Sequence, residues 1–421
     1  MADLILKNGK VVTPDGVRTA DVVVENGKIV GIGQGSAGKE IDCSGKYILP
    51  GAIDAHVHFR EPGMTHKEDF KTGSEAALAG GVTMILDMPN TAPPTVTIES
   101  LKEKKALAKE KCKCNFGFHF GITEGNSDIL KKVEKDPYVY GFKAYMGEST
   151  GGMICSYELL DKVFEIVSKP VVAHAEDQEI LEENMREFKG TEDPKMHSEI
   201  RSDKCARESV KKILHLAKKH DKKVHIAHVS SMAELEEIRK FKTDKVTCEV
   251  TPHHLFLNVH EYENQGNFVK TNPPLRTRED QEALWDAIDK GFVDIIATDH
   301  APHTFEEKDV TYSKAPSGVP GVENMLPLLL NEVNKGRLTI GKVAELVSRR
   351  PAEIFGMKNK GKIEVGYDAD LIVCDMDLEK TILNDHQKTK CKWTPFNGWK
   401  VKGWPVVTVC GGKIIQVLSR L

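Results

Sequence analysis

The segment Asp54-Ala55-His56-Val57-His58 places two imidazoles at positions i and i+2. On a strand those positions share a face, so both rings can reach one ion. Other apolar runs carry single polar residues at or near their ends. Lys143 lies within Tyr140–Tyr145, His174 ends Val171–His174, His228 ends Val224–His228, and Asp299 follows Asp294–Thr298. The chain holds 16 histidines, and chance would not gather these particular ones at the ends of apolar runs. His215, His220 and His260 stand in polar helical or loop context, while His119 and His225 fall inside runs. Imidazole with carboxylate is a donor set suited to zinc or a similar borderline divalent ion, with room left for water.

Lys143 has two readings at this level. Its neighbours Tyr140-Gly141-Phe142 and Ala144-Tyr145-Met146 are largely apolar and aromatic. A buried ammonium is costly unless paired, which suggests an ion pair with a nearby acid. Desolvation also favours the neutral amine, which can add to carbon dioxide and give a carbamate with two donor oxygens.

Such groups need a scaffold that gathers strand ends. Strand-like runs occur at Ala52–Val57, Val82–Met88, Asn115–Phe120, Tyr140–Tyr145, Val171–His174, Val224–His228, Val246–Val250 and Asp294–Thr298. Helical patterns at Glu68–Ala79, Ser100–Lys109, Tyr157–Val167, Ser209–Lys219 and Ala233–Phe241 separate most of them. The alternation predicts an α/β fold, a (β/α)8 TIM barrel. An open doubly wound sheet would usually carry Gly-x-Gly-x-x-Gly after its first strand, and none is present. Barrel enzymes place their chemistry at the C-terminal ends of the strands, where these groups fall.

Both ends of the chain read differently, as short alternating runs with turns. Asn8-Gly9, Asp15-Gly16 and Asn26-Gly27 predict hairpin turns, and Asp370–Asp375, Val406–Cys410 and Ile414–Val417 repeat the texture at the C-terminus. Each flank alone is too short to bury a face. The prediction is one composite β-sandwich domain, residues 1–50 plus 356–421, around a barrel at 51–355. A length of 421 residues accommodates this, since a barrel alone takes about 250.

Composition narrows the partners. Net charge is −4 with both signs interspersed, and lysine runs such as Lys102–Lys105 and Lys218–Lys223 predict solvated helix faces. Nucleic acid and membrane surfaces are unsupported as partners, and no run approaches the ~18 apolar residues of a membrane span. The nine cysteines are odd in number and irregularly spaced. Cys112-Lys113-Cys114 lacks the second pair that a zinc knuckle needs. Free thiols and the absence of a signal-peptide pattern at Met1–Lys7 predict a cytoplasmic location.

Taken together, the motifs resemble the cyclic amidohydrolases of the amidohydrolase superfamily. The likeness rests on His56-Val57-His58, Gly141-Phe142-Lys143, His174, His228 and Thr298-Asp299-His300. It extends to Gly45-Lys46-Tyr47-Ile48-Leu49-Pro50-Gly51 before the barrel and to Gly361–Leu371 after it. The resemblance implies two zinc ions held by His56, His58, His174, His228 and Asp299, bridged by a carbamate that carbon dioxide forms on Lys143. It also implies that Asp299 is the catalytic acid–base.

Within that family the substrate phrases look like the dihydroorotase branch, whose ring carries a carboxylate. Phe59-Arg60-Glu61-Pro62-Gly63 and Met88-Pro89-Asn90-Thr91 imply Arg60 and Asn90 as carboxylate ligands. Guanidinium geometry suits that role. Asn272 in Thr271-Asn272-Pro273, His303 in His300-Ala301-Pro302-His303, and Pro316 and Gly318 in Ala315-Pro316-Ser317-Gly318 complete the implied substrate set. The implied small molecules are dihydroorotate and carbamoyl aspartate, with association into a homo-oligomer or with a transcarbamoylase as further implications. The alternatives are allantoinase or another cyclic amidase. In a different class stands an inactive scaffold in a pyrimidine-pathway complex, though such relatives usually lose ligands and every ligand position is filled here. The polar segment Thr304–Pro316 reads equally as a lid or an exposed loop.

Overall fold

The computed structural model describes residues 2–148 and 152–417. Residues 418–421 of the predicted composite segment lie outside the described residues. The barrel strands are Ala52–Val57, Val82–Asp87, Asn115–Gly121, Val139–Tyr145, Val171–His174, Val224–Ile226, Val246–Val250 and Ile295–Ile296. They pair in chain order, all parallel. A parallel bridge between Val57 and His300 closes the ring, with the His58 N–H donating to the His300 carbonyl at 2.8 Å.

Alternation along the strands divides the apolar residues. Ile53, Ala55, Met84, Leu86 and Val172 pack with Phe355 in one cluster. Their neighbours Val57, Val82, Ile85, Val171 and Ala173 pack in a second cluster that includes the helices. The helices start where a side chain can accept an orphan N–H. Asp69 caps Phe70–Ala79, Ser156 caps Tyr157–Ile166, and Ser202 caps Asp203–His220, which therefore begins earlier than the predicted Ser209.

The sixth and eighth strands are shorter than predicted. The ladder stops at Ile226 and Ile296, before the chain turns left-handed at His228 (φ 36°) and Asp299 (φ 47°). Asn8-Gly9 also departs from the prediction. It is a bulge inside a single strand, Ala2–Thr13, rather than a hairpin turn. Asn8 sits at φ 61° and its amide donates to Asp42, while a Cβ at Gly9 would press on Ile48. Asp15-Gly16 and Asn26-Gly27 do join paired strands. Lys102–Lys105 is a third departure. Lys102 is exposed, but Lys104 is fully buried in an ion pair with Asp87.

The terminal segments form one eight-stranded sheet, and Tyr47–Pro50 is its junction. That strand pairs antiparallel with Leu371–Cys374 and parallel with Lys10–Val11, joining the two ends of the chain. Leu4, Leu6, Val22, Ile48, Leu371 and Val407 belong to its own apolar cluster. The nine cysteines are free thiols. Among the described residues, no helix is long and apolar enough to cross a membrane.

Candidate metal centre and substrate cradle

One cavity opens at the C-terminal ends of the barrel strands. His56, His58, Lys143, His174, His228 and Asp299 line it together with Arg60, Asn90, Asn272 and Gly318. Tyr145, Ala301 and Ser317 complete the wall. His303 and Pro316 stand one layer back.

The six candidate ligands converge. Ligand atoms of His56, His58 and Asp299 lie within 4.8 Å of one another. His58 Nε2 is 2.9 Å from Asp299 Oδ1, and His56 Nε2 is 3.3 Å from the same oxygen. His174 Nδ1 faces His228 Nε2 at 2.9 Å, and the His56 and His228 rings are 5.3 Å apart. Lys143 Nζ is fully buried and makes no hydrogen bond among the described residues.

Electrostatics keep these groups in ligand form. Burial lowers the pKa of His58 to about 4 and pushes His174 and His228 down as well, so the rings are neutral donors. Burial also lowers Lys143 to about 8, opposed by the charges of Glu249 and Asp299. For Asp299 burial alone would raise the pKa, but His56 and His58 hold it well below the usual carboxylate range. A buried amine without a partner, neutral imidazoles and one ionised carboxylate fit a divalent metal site.

Acids behind the imidazoles set their orientation. Glu249 binds His56 Nδ1 with one oxygen, and its other oxygen lies 3.0 Å from His225 Nε2. Glu176 lies 2.6 Å from His174 Nε2 and is itself held by Arg201. Asn90 Oδ1 lies 2.6 Å from His58 Nδ1. For His56, His58 and His174 the contact engages one ring nitrogen and leaves the other facing the cavity. Asp54 accepts from Thr298 N–H at 3.0 Å and from its hydroxyl at 2.5 Å, fixing the strand end before Asp299.

Sequence reasoning missed Glu249, Glu176 and Asp54. The signals were there: Glu249 is an acid inside the apolar run Val246–Val250. Asp54 lies two residues before His56 on the same strand face, and Glu176 lies two residues after His174, just past the strand end.

Arg60 is the cation of the cradle. It sits at φ 62° and is almost wholly buried. Its Nε donates to the Pro302 carbonyl at 3.2 Å, and Nη2 lies 3.2 Å from His303 Nε2. Among the described residues no carboxylate forms an ion pair with it. Asn272 Oδ1 lies 2.9 Å from His197 Nε2, which orients its amide. Gly318 takes φ 139°, and a Cβ there would collide with the Ala301 carbonyl, so this wall can approach the cavity only as backbone.

The segment Thr304–Pro316 is pinned rather than merely exposed. The ammonium of Lys308, on the short helix Phe305–Lys308, is buried against the carbonyls of Lys270, Pro316 and Gly318 at 2.9–3.2 Å. Glu307 pairs with Lys67 at 3.1 Å.

Comparison with known proteins places this arrangement. The sequence profile of the amidohydrolase family matches residues 47–415. A dihydroorotase of Methanosarcina acetivorans is 38% identical, covering 99% of this chain and 92% of its own. One of Methanothermobacter thermautotrophicus is 39% identical over 99% and 94%. The solved L-hydantoinase (dihydropyrimidinase) of Arthrobacter aurescens superposes with a TM-score of 0.96 at 31% identity, covering 100% of this chain and 97% of that one.

Proposed function

Because this chain belongs to the amidohydrolase family, we propose that it is a dihydroorotase, a metal-dependent hydrolase that interconverts L-dihydroorotate and N-carbamoyl-L-aspartate in pyrimidine biosynthesis. The observation that carries the substrate is Arg60, a buried guanidinium without an acidic partner among the described residues, on the wall of the cavity that holds the metal-type donors. A buried cation calls for an anion, and the ring carboxylate of dihydroorotate supplies one. Uncharged rings would leave it unpaired, which is a basis for rejecting them.

We assign the chemistry to the barrel, residues 51–355, with 1–50 and 356–421 as its supporting domain. Two zinc ions would be held by His56, His58, His174, His228 and Asp299 together with a carbamate on Lys143. The neutral amine of Lys143 forms a bond to the carbon of carbon dioxide and releases one proton, and the resulting carbamate would add oxygen donors to that set. Zinc, when bound, supplies Lewis acidity, lowering the pKa of water and polarising the ring carbonyl.

In ring opening, the Asp299 carboxylate accepts a proton from the attacking water. As the carbonyl carbon–nitrogen bond breaks, the same carboxyl group returns the proton to the departing ring nitrogen. Ring closure is the reverse. Arg60 holds the substrate carboxylate with two parallel hydrogen bonds, Asn90 flanks it, and His303 supports Arg60 from the layer behind. Asn272 and the backbone at Gly318 bound the ring plane, and Pro316, whose carbonyl is held by Lys308, supports that wall from behind.

The test is turnover of L-dihydroorotate, allantoin and dihydrouracil side by side, with zinc and bicarbonate. Turnover of dihydroorotate alone is expected. Turnover of an uncharged ring instead would sink the substrate assignment and leave the family chemistry. Silence on all three, with metal bound, would favour a scaffold role.

A further inference from the structure

Asp87 and Lys104 form an ion pair at 2.6 Å with both side chains fully buried. Two charges withdrawn from water rarely repay their desolvation by attraction alone, so the pair needs a reason beyond cohesion. Its hydrogen bonds supply one. Asp87 Oδ1 accepts the Phe59 N–H at 2.7 Å, and Lys104 Nζ donates to the Met88 carbonyl at 2.6 Å. Phe59 precedes Arg60, and Met88 lies two residues before Asn90. The pair thus ties together the exits of the first two barrel strands, where the chain has left its ladder and backbone groups need other partners.

Arg60 depends on that tie. Its left-handed conformation is uncommon for a residue with a Cβ and persists only where surrounding bonds over-determine it. The Phe59 N–H bond fixes the peptide just before the turn. Asp87 is also among the negative charges that oppose the desolvation of the Arg60 guanidinium, after Asp299.

We infer that Asp87 and Lys104 are positioning residues for substrate specificity, setting the separation of Arg60 and Asn90 so that both reach one carboxylate. The inference rests on the dihydroorotase reading for its ligand, but not for its geometry.

The test compares two double variants, since either single change strands a buried charge. In D87L/K104M the charges and the Phe59 acceptor go together. In D87N/K104M the Asn carbonyl still accepts the Phe59 N–H. For D87L/K104M, KM for dihydroorotate is expected to rise about tenfold with kcat and zinc content within about twofold of the parent. For D87N/K104M, KM should recover to within about threefold. Crystal structures of both give a readout free of activity, with Arg60 leaving its left-handed conformation in D87L/K104M only. An unchanged Arg60 and KM in D87L/K104M would overturn the inference, as would a fall in kcat that follows lost zinc. Should D87L/K104M fail to fold, D87N/K104M decides, because an Arg60 displaced there despite the retained acceptor also contradicts it. A parent that never turns over dihydroorotate sinks the substrate reading instead, and the Arg60 conformation then judges the inference alone.

Discussion

Glu249 holds His56 by its Nδ1 and His225 by its Nε2, at 3.0 Å for the latter, so one buried carboxylate serves two imidazoles. It also accepts the backbone N–H of His228 at 3.2 Å, which ties in the residue that carries a third. The seventh barrel strand therefore contributes no ligand of its own, yet it sets the orientation of His56 and steadies the left-handed turn at His228.

Glu249→Gln should accordingly weaken metal binding more than folding. An amide keeps one acceptor oxygen but turns an N–H towards the other imidazole, which must flip or lose its bond. Zinc affinity should fall roughly 10–100-fold, measured by competition with a chromogenic chelator. An affinity equal to the parent's would mean that His56 is oriented by the strand alone.

Lys143→Ala removes the only amine among the candidate ligands. Both zinc content and turnover should drop, and a short carboxylic acid in the buffer should restore part of the turnover by replacing the carbamate oxygens. Full zinc occupancy in the variant would count against the carbamate and return Lys143 to the role of a buried cation.

For Asp299→Asn the expected split is the opposite. The imidazoles and the proposed carbamate on Lys143 would still hold metal, whereas the proton acceptor would be gone, so turnover should fall by about 10²–10⁴. Loss of zinc in parallel would make Asp299 chiefly a ligand.

How much of this was readable from the residues varies by kind of signal. His56 and His58 announce themselves because a period of two on a strand forces both rings to one side. Barrel order followed from alternation of apolar runs and helices, which depends on many residues and tolerates local error. Single-residue readings fared worse. Lys104 sits in a run of charge, and only its place on the same helix face as Leu101 and Ala108 marks it as buried. Asn8-Gly9 has turn chemistry, but the same left-handed preference serves a bulge, and the choice was made by Ile48 and Asp42, distant in sequence. The ends of the sixth and eighth strands were misplaced because His228 and Asp299 break the ladder, an effect of tertiary bonds from Glu249 and Asp54 that no local pattern encodes.

The sharpest test of substrate identity is Arg60. Its guanidinium is buried, its bonds reach one carbonyl and one imidazole, and burial pulls its pKa down with no carboxylate among the described residues paired to it. A substrate carboxylate would complete it with two charge-assisted hydrogen bonds, each group being otherwise costly to leave dry. Arg60→Ala should therefore raise KM for dihydroorotate by a contact worth roughly 1.5–3 kcal/mol, leaving kcat less affected. Arg60→Lys should recover part of that loss, since a point charge replaces a planar fork and the φ 62° backbone is unchanged in its demands. Dihydrouracil gives the internal control: parent and Arg60→Ala alike should leave it unreacted, because removing the cation does not supply the contact an uncharged ring lacks. Equal KM for dihydroorotate in the parent and Arg60→Ala would remove the argument from charge, and the choice among cyclic amides would then rest on ring shape against Asn272 and Gly318.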